Sequence, residues 1–336
     1  MKLNKLVIIL AAVLVTSWNQ AQEVGLPIYK DYLTDNWYLL YPSMAGASSN
    51  NKLRATARQA WFDVDDAPNL QTISANFRAG NNVGLGGIFM NDQNGRFSQT
   101  GVYLTFAYHL DLTNNATELN QLSFGLNVGI LQEGLDATDI INQDPDPAFP
   151  FTAQTESFFN VDLGVSYNYQ DFFIHAAARN IIPQERRILT ELETNDNNRQ
   201  YLFSVGYNFY RRGSRWSFQP STMFQLKEFT GESNIDINGK AFYELDNGTL
   251  WGGLSYRRSL DGAEFNNQGA RVDSQKLNTI SPFIGVTINR FMVAYTYTYQ
   301  LDEIVLTNSG FHQITLGYNF GQGGKKYKCN CPAVNY

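Results

Sequence analysis

The sequence predicts an all-β protein, a single transmembrane antiparallel β-barrel of about fourteen strands with both termini in the periplasm. Three observations lead to this prediction. The N-terminus has the layout of a secretory signal. The remaining chain alternates apolar and polar residues with a period of two, and its short and long connections alternate along much of its length.

The first residues have the order of charge and hydropathy found in cleavable secretory signals. Lys2 and Lys5 precede an apolar stretch over 6–15, and a small residue follows at Ala21. The stretch is shorter than the roughly 18 residues that a membrane-spanning helix needs. We therefore expect a signal peptide over 1–21, removed after Ala21.

Composition and charge restrict the class of protein. The chain has 336 residues with 25 basic and 31 acidic side chains, a net charge of −6. Removal of the signal peptide takes away two lysines and no acid, so the charge becomes −8, and such a chain has no electrostatic reason to bind nucleic acid. The mildly negative mean hydropathy is compatible with a barrel, because a barrel places its apolar residues only at alternate positions.

The alternation distinguishes a membrane barrel from a soluble β-sandwich. Alternate residues over 122–130 are apolar, and the same pattern recurs over 159–167 and 291–301. Successive side chains of a strand point to opposite faces, so each segment has one apolar and one polar face. The polar face carries Gly, Ser, Thr and Asn rather than the Lys and Glu of a water-exposed sheet, which suits a crowded, hydrated barrel interior.

Fourteen segments of this kind form the predicted barrel domain, 53–320. They are 53–61, 70–78, 83–90, 99–110, 122–132, 156–168, 171–179, 199–210, 214–227, 232–243, 249–258, 274–288, 291–301 and 309–320. The last one closes on the aromatic Phe320, as expected for a strand that must pair with the first strand and remove the open edge.

The connections orient the predicted barrel. Short ones follow the second, sixth, eighth, tenth and twelfth segments, and long ones follow the fifth, seventh and eleventh, at 133–155, 180–198 and 259–273. Outer-membrane barrels have short periplasmic turns and long external loops. Only 111–121 is longer than this pattern predicts. An even number of strands then returns both termini to the periplasm.

Two segments flank the predicted barrel. Residues 22–52 form an N-terminal periplasmic or plug-like segment, and residues 321–336 form a C-terminal periplasmic tail. For the tail, disorder is the preferred interpretation and a docking segment for a periplasmic partner is the alternative. Cys329 and Cys331 are too few for a disulfide framework or a four-ligand zinc site, so we interpret them as part of an exposed tail with a labile bridge or none.

No catalytic, cofactor-binding or metal-binding residues are predicted. The three histidines, His109, His175 and His312, lie in separate predicted strands without a neighbouring carboxylate, and we expect them to face the lumen or the interfacial girdle. Motifs for nucleophilic hydrolysis, phosphate binding and zinc proteolysis are absent. The glycines at 84, 86 and 87 lie within a strand, so we interpret them as small strand residues.

Two charged groups have competing interpretations. Acids in the 133–155 loop could bind Ca²⁺, but their spacing is irregular and prolines stiffen such loops without a metal; they are Glu133, Asp136, Asp139, Asp144 and Asp146. Five arginines on or near strands could form a constriction, but pairing with Asp162 and other interior acids is preferred, because buried charges need partners; they are Arg54, Arg58, Arg179, Arg257 and Arg258.

Several motifs carry a family resemblance. The run from Asn36 to Gly46, Asn-Trp-Tyr-Leu-Leu-Tyr-Pro-Ser-Met-Ala-Gly, resembles the N-terminal signature of PorP/SprF-type proteins, although Tyr41-Pro42-Ser43 stands where the family usually has Asn-Pro-Ala. Further matches continue in order along the chain, at 58–61, 67–68, 71–74, 81–87, 101–110, 122–126, 218–221, 250–257, 281–282 and 310–320.

The resemblance implies a role without catalysis. Members are outer-membrane components associated with type IX secretion and gliding motility, and they look like accessory barrels for particular secreted proteins or adhesins. Expected partners are such a client, the translocon and the periplasmic ring and motor components. The family pattern also implies that Pro42 and Gly46 set the turn before the first strand and that Trp61 lies at the membrane interface.

Three functions follow from these features. We expect a non-enzymatic accessory barrel that supports export or surface attachment of a specific secreted protein. A passive outer-membrane porin or solute transporter is the alternative, although loops or residues 22–52 could plug the modest lumen of about fourteen strands. An outer-membrane hydrolase has little support, because the three histidines lie apart.

Overall fold

The computed structural model describes residues 33–60, 67–113, 118–136, 153–183, 198–261, 263–267, 271–276, 278–301 and 310–321, with Tyr327, Cys329 and Val334. Some predictions concern residues outside these ranges. They are the predictions for the signal peptide, for Trp61 and Cys331, and for Asp139, Asp144 and Asp146. Among the residues described, no helix is long and apolar enough to cross a membrane.

Seventeen strands lie in the described part of the chain. They are β1 Asn51–Ala60, β2 Asn69–Arg78, β3 Val83–Asn94, β4 Phe97–Asp111, β5 Asn120–Leu135, β6 Gln154–Tyr169, β7 Phe172–Arg179, β8 Gln200–Tyr207, β9 Phe209–Tyr210, β10 Trp216–Lys227, β11 Ser233–Leu245, β12 Gly248–Ser259, β13 Ala263–Asn267, β14 Arg271–Gln275, β15 Asn278–Ile288, β16 Phe291–Gln300 and β17 Phe311–Phe320. Two short 3-10 helices, Trp37–Leu39 and Pro42–Met44, precede them.

The strands form a closed antiparallel barrel of fourteen wall strands. β8 and β9 are two parts of one wall strand, interrupted at Asn208 and both paired with β10, while β13 and β14 form a separate two-stranded hairpin. β17 pairs with β1 from Asn51 opposite Phe320 to Ala60 opposite Phe311. The predicted fold class is confirmed, and each of the fourteen predicted segments overlaps one wall strand.

The two faces of the wall follow the alternation of the sequence. On β4 and β5, Leu104 and Ile130 point outward and are 71% and 60% exposed, so they would contact lipid. Thr105, which follows Leu104, and Asn127, which pairs with Thr105 across the strands, are buried in the lumen. The expected interior of small polar side chains is therefore present.

The two ends of the barrel differ in their connections. One end, which we call the short-turn end, carries 79–82, 112–119, 170–171, 211–215, 246–247 and 289–290, together with the start of β1 and the end of β17. The opposite end, the long-loop end, carries 61–68, 95–96, 136–153, 180–199, 228–232, 260–277 and 301–310. By the rule for outer-membrane barrels, the short-turn end faces the periplasm.

Aromatic residues line the outer face near the short-turn end. Tyr207 and Phe209 are exposed with ring centroids 4.7 Å apart, and Tyr318 and Phe320 are stacked at 6.4 Å. Amphipathic rings are favourable at the boundary between lipid and water, so these strand ends fit an interfacial girdle.

The described part of the chain before β1 lies inside the barrel. Residues 33–48, which we call the lumen segment, are all buried except Asp35, which is half-buried. The segment leaves the lumen at the short-turn end and continues into β1 at Asn51. Gly46 has a φ of +64°, and an added Cβ would lie 2.6 Å from the Phe77 carbonyl oxygen, so this turn requires glycine.

Candidate functional site: the lumen segment and its seat

Glycines of the wall make room for the lumen segment. A Cβ on Gly84 would overlap the Ala45 carbonyl, and one on Gly125 would overlap the main chain at Pro42 and Ser43. On Gly164 it would lie 2.9 Å from the Cδ atom of Pro42. The glycines of β3, β5 and β6 therefore let the main chain of the segment approach the wall, a purpose that their interpretation as small strand residues did not include.

Hydroxyl and amide groups of the segment meet polar side chains of the wall. Tyr38 and Thr105 share a hydrogen bond of 2.5 Å, and Ser43 and Ser166 share one of 2.6 Å. The other such contacts are from the Asn36 amide to Ser74 at 3.1 Å, between the hydroxyls of Tyr41 and Ser204, and from the backbone N–H of Gly46 to Asn76 at 3.1 Å. Buried polar groups need such partners, so the polar lumen is matched to this segment.

His109 holds the segment through its main chain. Its Nε2 lies 3.0 Å from the Ala45 carbonyl oxygen, and its Nδ1 lies 2.8 Å from the Ser123 hydroxyl. A carbonyl only accepts, so we assign the tautomer in which Nε2–H donates to Ala45 and Nδ1 accepts from Ser123. His109 therefore faces the lumen, one of the two positions expected for it, and holds the segment there.

Aromatic rings meet around His175 on β7. Its ring lies 5.4 Å from Trp37, 5.2 Å from Tyr41 and 5.0 Å from Phe173, centroid to centroid. The imidazole is fully buried. Such ring contacts add to the burial of apolar area, so this cluster anchors the first half of the segment to β7.

A group of charges surrounds the start of the segment. The Asp35 carboxylate lies 2.9 Å from the Lys52 ammonium and 3.4 Å from the Arg54 guanidinium, both buried on β1. Lys240 of β11 donates to the Leu33 carbonyl oxygen at 2.9 Å and lies 4.1 Å from the Trp251 ring centroid. One acid of the segment is therefore held by cations of the wall.

The predicted pairing of the interior arginines is partly correct. Arg54 contacts Asp35, and Arg257 binds Asp236 at 2.6 Å. Asp162 is different, because it accepts from the Asn127 amide at 3.3 Å and from the backbone N–H of Asn180 at 2.9 Å. Among the described residues no arginine pairs with Asp162, and two neutral donors solvate its carboxylate instead.

The remaining predicted positions are dispersed. The guanidinium of Arg58 lies 4.2 Å above the Phe311 ring, Arg179 is buried in the wall and Arg258 is exposed. His312 lies on the outer face and shares a hydrogen bond of 2.6 Å with Tyr295. Within the described ranges, no three His, Cys, Asp or Glu side chains are placed to bind a metal ion.

The C-terminal tail returns to the short-turn end. Val334 is fully buried, and its carbonyl accepts from the backbone N–H of Ser49 at 2.7 Å. The Tyr327 hydroxyl donates to Asp111 at 3.4 Å, and burial raises the pKa of Tyr327 to about 12, so this phenol stays protonated at neutral pH. Cys329 is half-buried at the same end.

A comparison of the sequence with protein families decides its relationship. Residues 21–318 match the family described as "Type IX secretion system membrane protein PorP/SprF". The chain belongs to the PorP/SprF family. It is therefore an outer-membrane component of type IX secretion, and the predicted family and location are confirmed.

Other comparisons add likeness of fold only. No curated protein matches the sequence. Among solved structures, the toluene transporter TbuX of Ralstonia pickettii is 10% identical, with 85% of this chain and 93% of that chain covered and a TM-score of 0.46. The CymD monoaromatic hydrocarbon channel is 10% identical, covers 91% and 94%, and has a TM-score of 0.46. BamA of Haemophilus ducreyi, solved without POTRA domains 1–3, is 7% identical, covers 81% and 70%, and has a TM-score of 0.42.

The wall residues that hold the lumen segment of this PorP/SprF chain were largely missed from the sequence. Asp35, Lys52 and Lys240 carry no motif of their own, and they meet only because β1 and β11 curve around one lumen. A partial signal existed in the run from Asn36 to Gly46, which is too rich in buried-type residues for a solvated periplasmic arm. Strand glycines and aromatic hydroxyls together pointed toward a closely fitted interior.

Proposed function

We propose that this PorP/SprF protein is a non-enzymatic accessory barrel that supports export or surface attachment of a specific secreted protein. The observation that carries the proposal is the lumen segment, because residues 33–48 lie buried in the lumen, where a solute would pass. A barrel whose interior holds part of its own chain fits a scaffold for protein partners better than an open pore. Family membership supports the setting in type IX secretion.

In this proposal the client binds at the long-loop end. The connections 136–153, between β5 and β6, and 180–199, between β7 and β8, belong to that end and are among the three longest there, with 260–277. External loops on a rigid wall are where binding residues concentrate. The signal peptide over 1–21 and a link to gliding motility belong to the same proposal.

Deletion of the gene followed by quantitative proteomics of the surface and medium tests the proposal. We expect one or a few type IX clients to be retained or released, with the remaining clients unaffected, and re-expression of the wild-type chain to restore them. Normal export and attachment of all clients would overturn the proposal. A chain in which 184–197 is replaced by a short Gly-Ser turn should insert normally but fail to complement.

The alternative, a passive porin, predicts a different result. Wild-type protein in planar bilayers should then conduct steadily without a partner. The polar lumen lining is compatible with water, but the seated lumen segment favours low conductance. A large, steady wild-type conductance would support the porin instead.

A further inference from the structure

An open cavity lies at the short-turn end, beside the lumen segment. It has a volume of about 600 Å³. Its lining combines Asp35 of the lumen segment, lumen-facing wall residues such as Thr249 and Thr287, and Arg211 and Arg212 of the 211–215 turn. We call it the mouth cavity. Its size lies in the range of pockets that bind ligands.

The outer side of the mouth cavity carries more basic than acidic groups, because Arg211 and Arg212 line it together with the acid Glu244. Arg211 and Arg212 are both exposed, whereas the charge of Asp35 is already offset by Lys52 and Arg54. The neighbouring Arg215 forms its ion pair with Asp246, outside the cavity lining. Two arginines are therefore presented to the periplasm at the rim of a polar cavity.

The opposite side of the rim has the opposite character. In the sequence, the turn over 79–82 has no charged residue, the connection over 112–119 carries Glu118, and the 170–171 turn carries Asp171. The positive side is thus local, in a chain whose net charge is −6. An anionic ligand would be directed to the Arg211 side of the mouth.

We propose that the mouth cavity binds an acidic polypeptide segment of a periplasmic partner, with its carboxylates on Arg211 and Arg212. Planar guanidinium groups bind carboxylates through paired hydrogen bonds, which gives both affinity and orientation. Polar neighbours such as Asn289 and Asn319 can bind the main chain of the segment. The inference rests on the proposed function only in placing the partner within the secretion machinery.

A polypeptide fits this surface better than a phospholipid headgroup. Arg211 and Arg212 line the cavity together with lumen-facing Thr249 and Thr287. The lipid-facing positions of the adjoining strand carry rings instead, Trp216 and Phe218, which are stacked at 6.2 Å. The two arginines therefore face the aqueous mouth rather than the bilayer.

Binding of a labelled acidic peptide tests the inference. The full-length protein in phosphatidylcholine nanodiscs is titrated against fluorescein-labelled hexaglutamate, with hexaglutamine as the neutral control, and anisotropy is recorded. We expect hexaglutamate alone to bind, and R211Q/R212Q to weaken it roughly tenfold. R199Q/R258Q removes two arginines elsewhere and should leave the affinity unchanged.

The thiol of Cys329 provides a second measurement. Cys329 lines the cavity, so in a C331S background bound hexaglutamate should slow its reaction with maleimide. Equal binding of both peptides, or equal loss in R199Q/R258Q, would overturn the inference. So would an R211Q/R212Q defect confined to nanodiscs containing anionic phospholipid. These results are independent of the client-export assay, so either proposal can fail alone.

Discussion

Gly125 of β5 lies directly against the main chain of Ser43, so closely that a side chain at residue 125 would overlap the Ser43 nitrogen. The contact joins the barrel wall to the lumen segment. The same segment is held by the hydrogen bond from Ser43 to Ser166 on β6. The lumen segment is therefore held against wall residues whose side chains are small or absent.

Gly125→Val is expected to unseat the lumen segment and leave the wall intact. The added side chain would overlap Pro42 and Ser43, and overpacking of this kind costs about 1–3 kcal/mol. We expect higher conductance in planar bilayers than for the wild-type protein. Gly239→Val is the matched control, because a Cβ there meets nothing within 4 Å. Equal conductance of the two variants would contradict this account.

Asp35→Asn is expected to weaken the attachment of the segment at its charged start. Lys52 and Arg54 are buried, so removal of their carboxylate leaves charges uncompensated, at a cost of about 3–5 kcal/mol. Urea unfolding monitored by tryptophan fluorescence measures the change in the free energy of unfolding. Asp246→Asn breaks the exposed pair with Arg215 and should cost less than about 1 kcal/mol. If Asp35→Asn lowered the free energy of unfolding no more than Asp246→Asn does, the ion pairs of Asp35 would not stabilise the segment.

Truncation after Gly321 is expected to expose the lumen segment from the periplasmic side. β17 ends at Phe320, so the barrel still closes, but Ser49 loses the Val334 carbonyl that accepts its N–H at 2.7 Å. Amide hydrogen exchange of residues 47–50 should rise, while exchange in β4 and β5 should not. Unchanged protection at Ser49 would mean that the tail is not part of the closure.

Leu104→Arg is expected to destabilise the barrel according to its depth in the membrane. Leu104 points outward near the middle of β4 and is 71% exposed, so the charge would lie within the hydrocarbon, at a cost of about 2–4 kcal/mol. Leu245→Arg places the same charge at the end of β11, near the interface, where the cost is about 0–1 kcal/mol. Folding titrations in lipid vesicles compare the free energies of folding of the two variants. Similar losses of free energy would place Leu104 outside the hydrocarbon.

The barrel itself could be predicted because its determinants are local. The period-two alternation over 122–130 and 159–167 already assigns the two faces of β5 and β6, and short turns such as 289–290 limit the pairing of neighbouring strands. Closure by β17 could be inferred from the alternation that ends at Phe320. These features need no knowledge of distant residues.

The partners of charged residues could not be predicted in the same way. Asp162 was expected to pair with an arginine, yet it is solvated by Asn127 and the N–H of Asn180. The partners of Asp162 depend on which side chains of β5, β6 and β7 reach the same level of the lumen. Strand register and barrel curvature set that level, and neither is encoded in the neighbourhood of one residue.

The sequence by itself determined the strand class, the strand number, the two faces of the wall and the family, because each depends on periodicity or on ordered motifs. Only the tertiary structure decided that residues 33–48 lie in the lumen against Gly84, Gly125 and His109, and that Arg211 and Arg212 border a cavity beside Asp35. Such contacts join residues far apart in the chain. They arise when the wall closes and brings the inner faces of all its strands around one enclosed space.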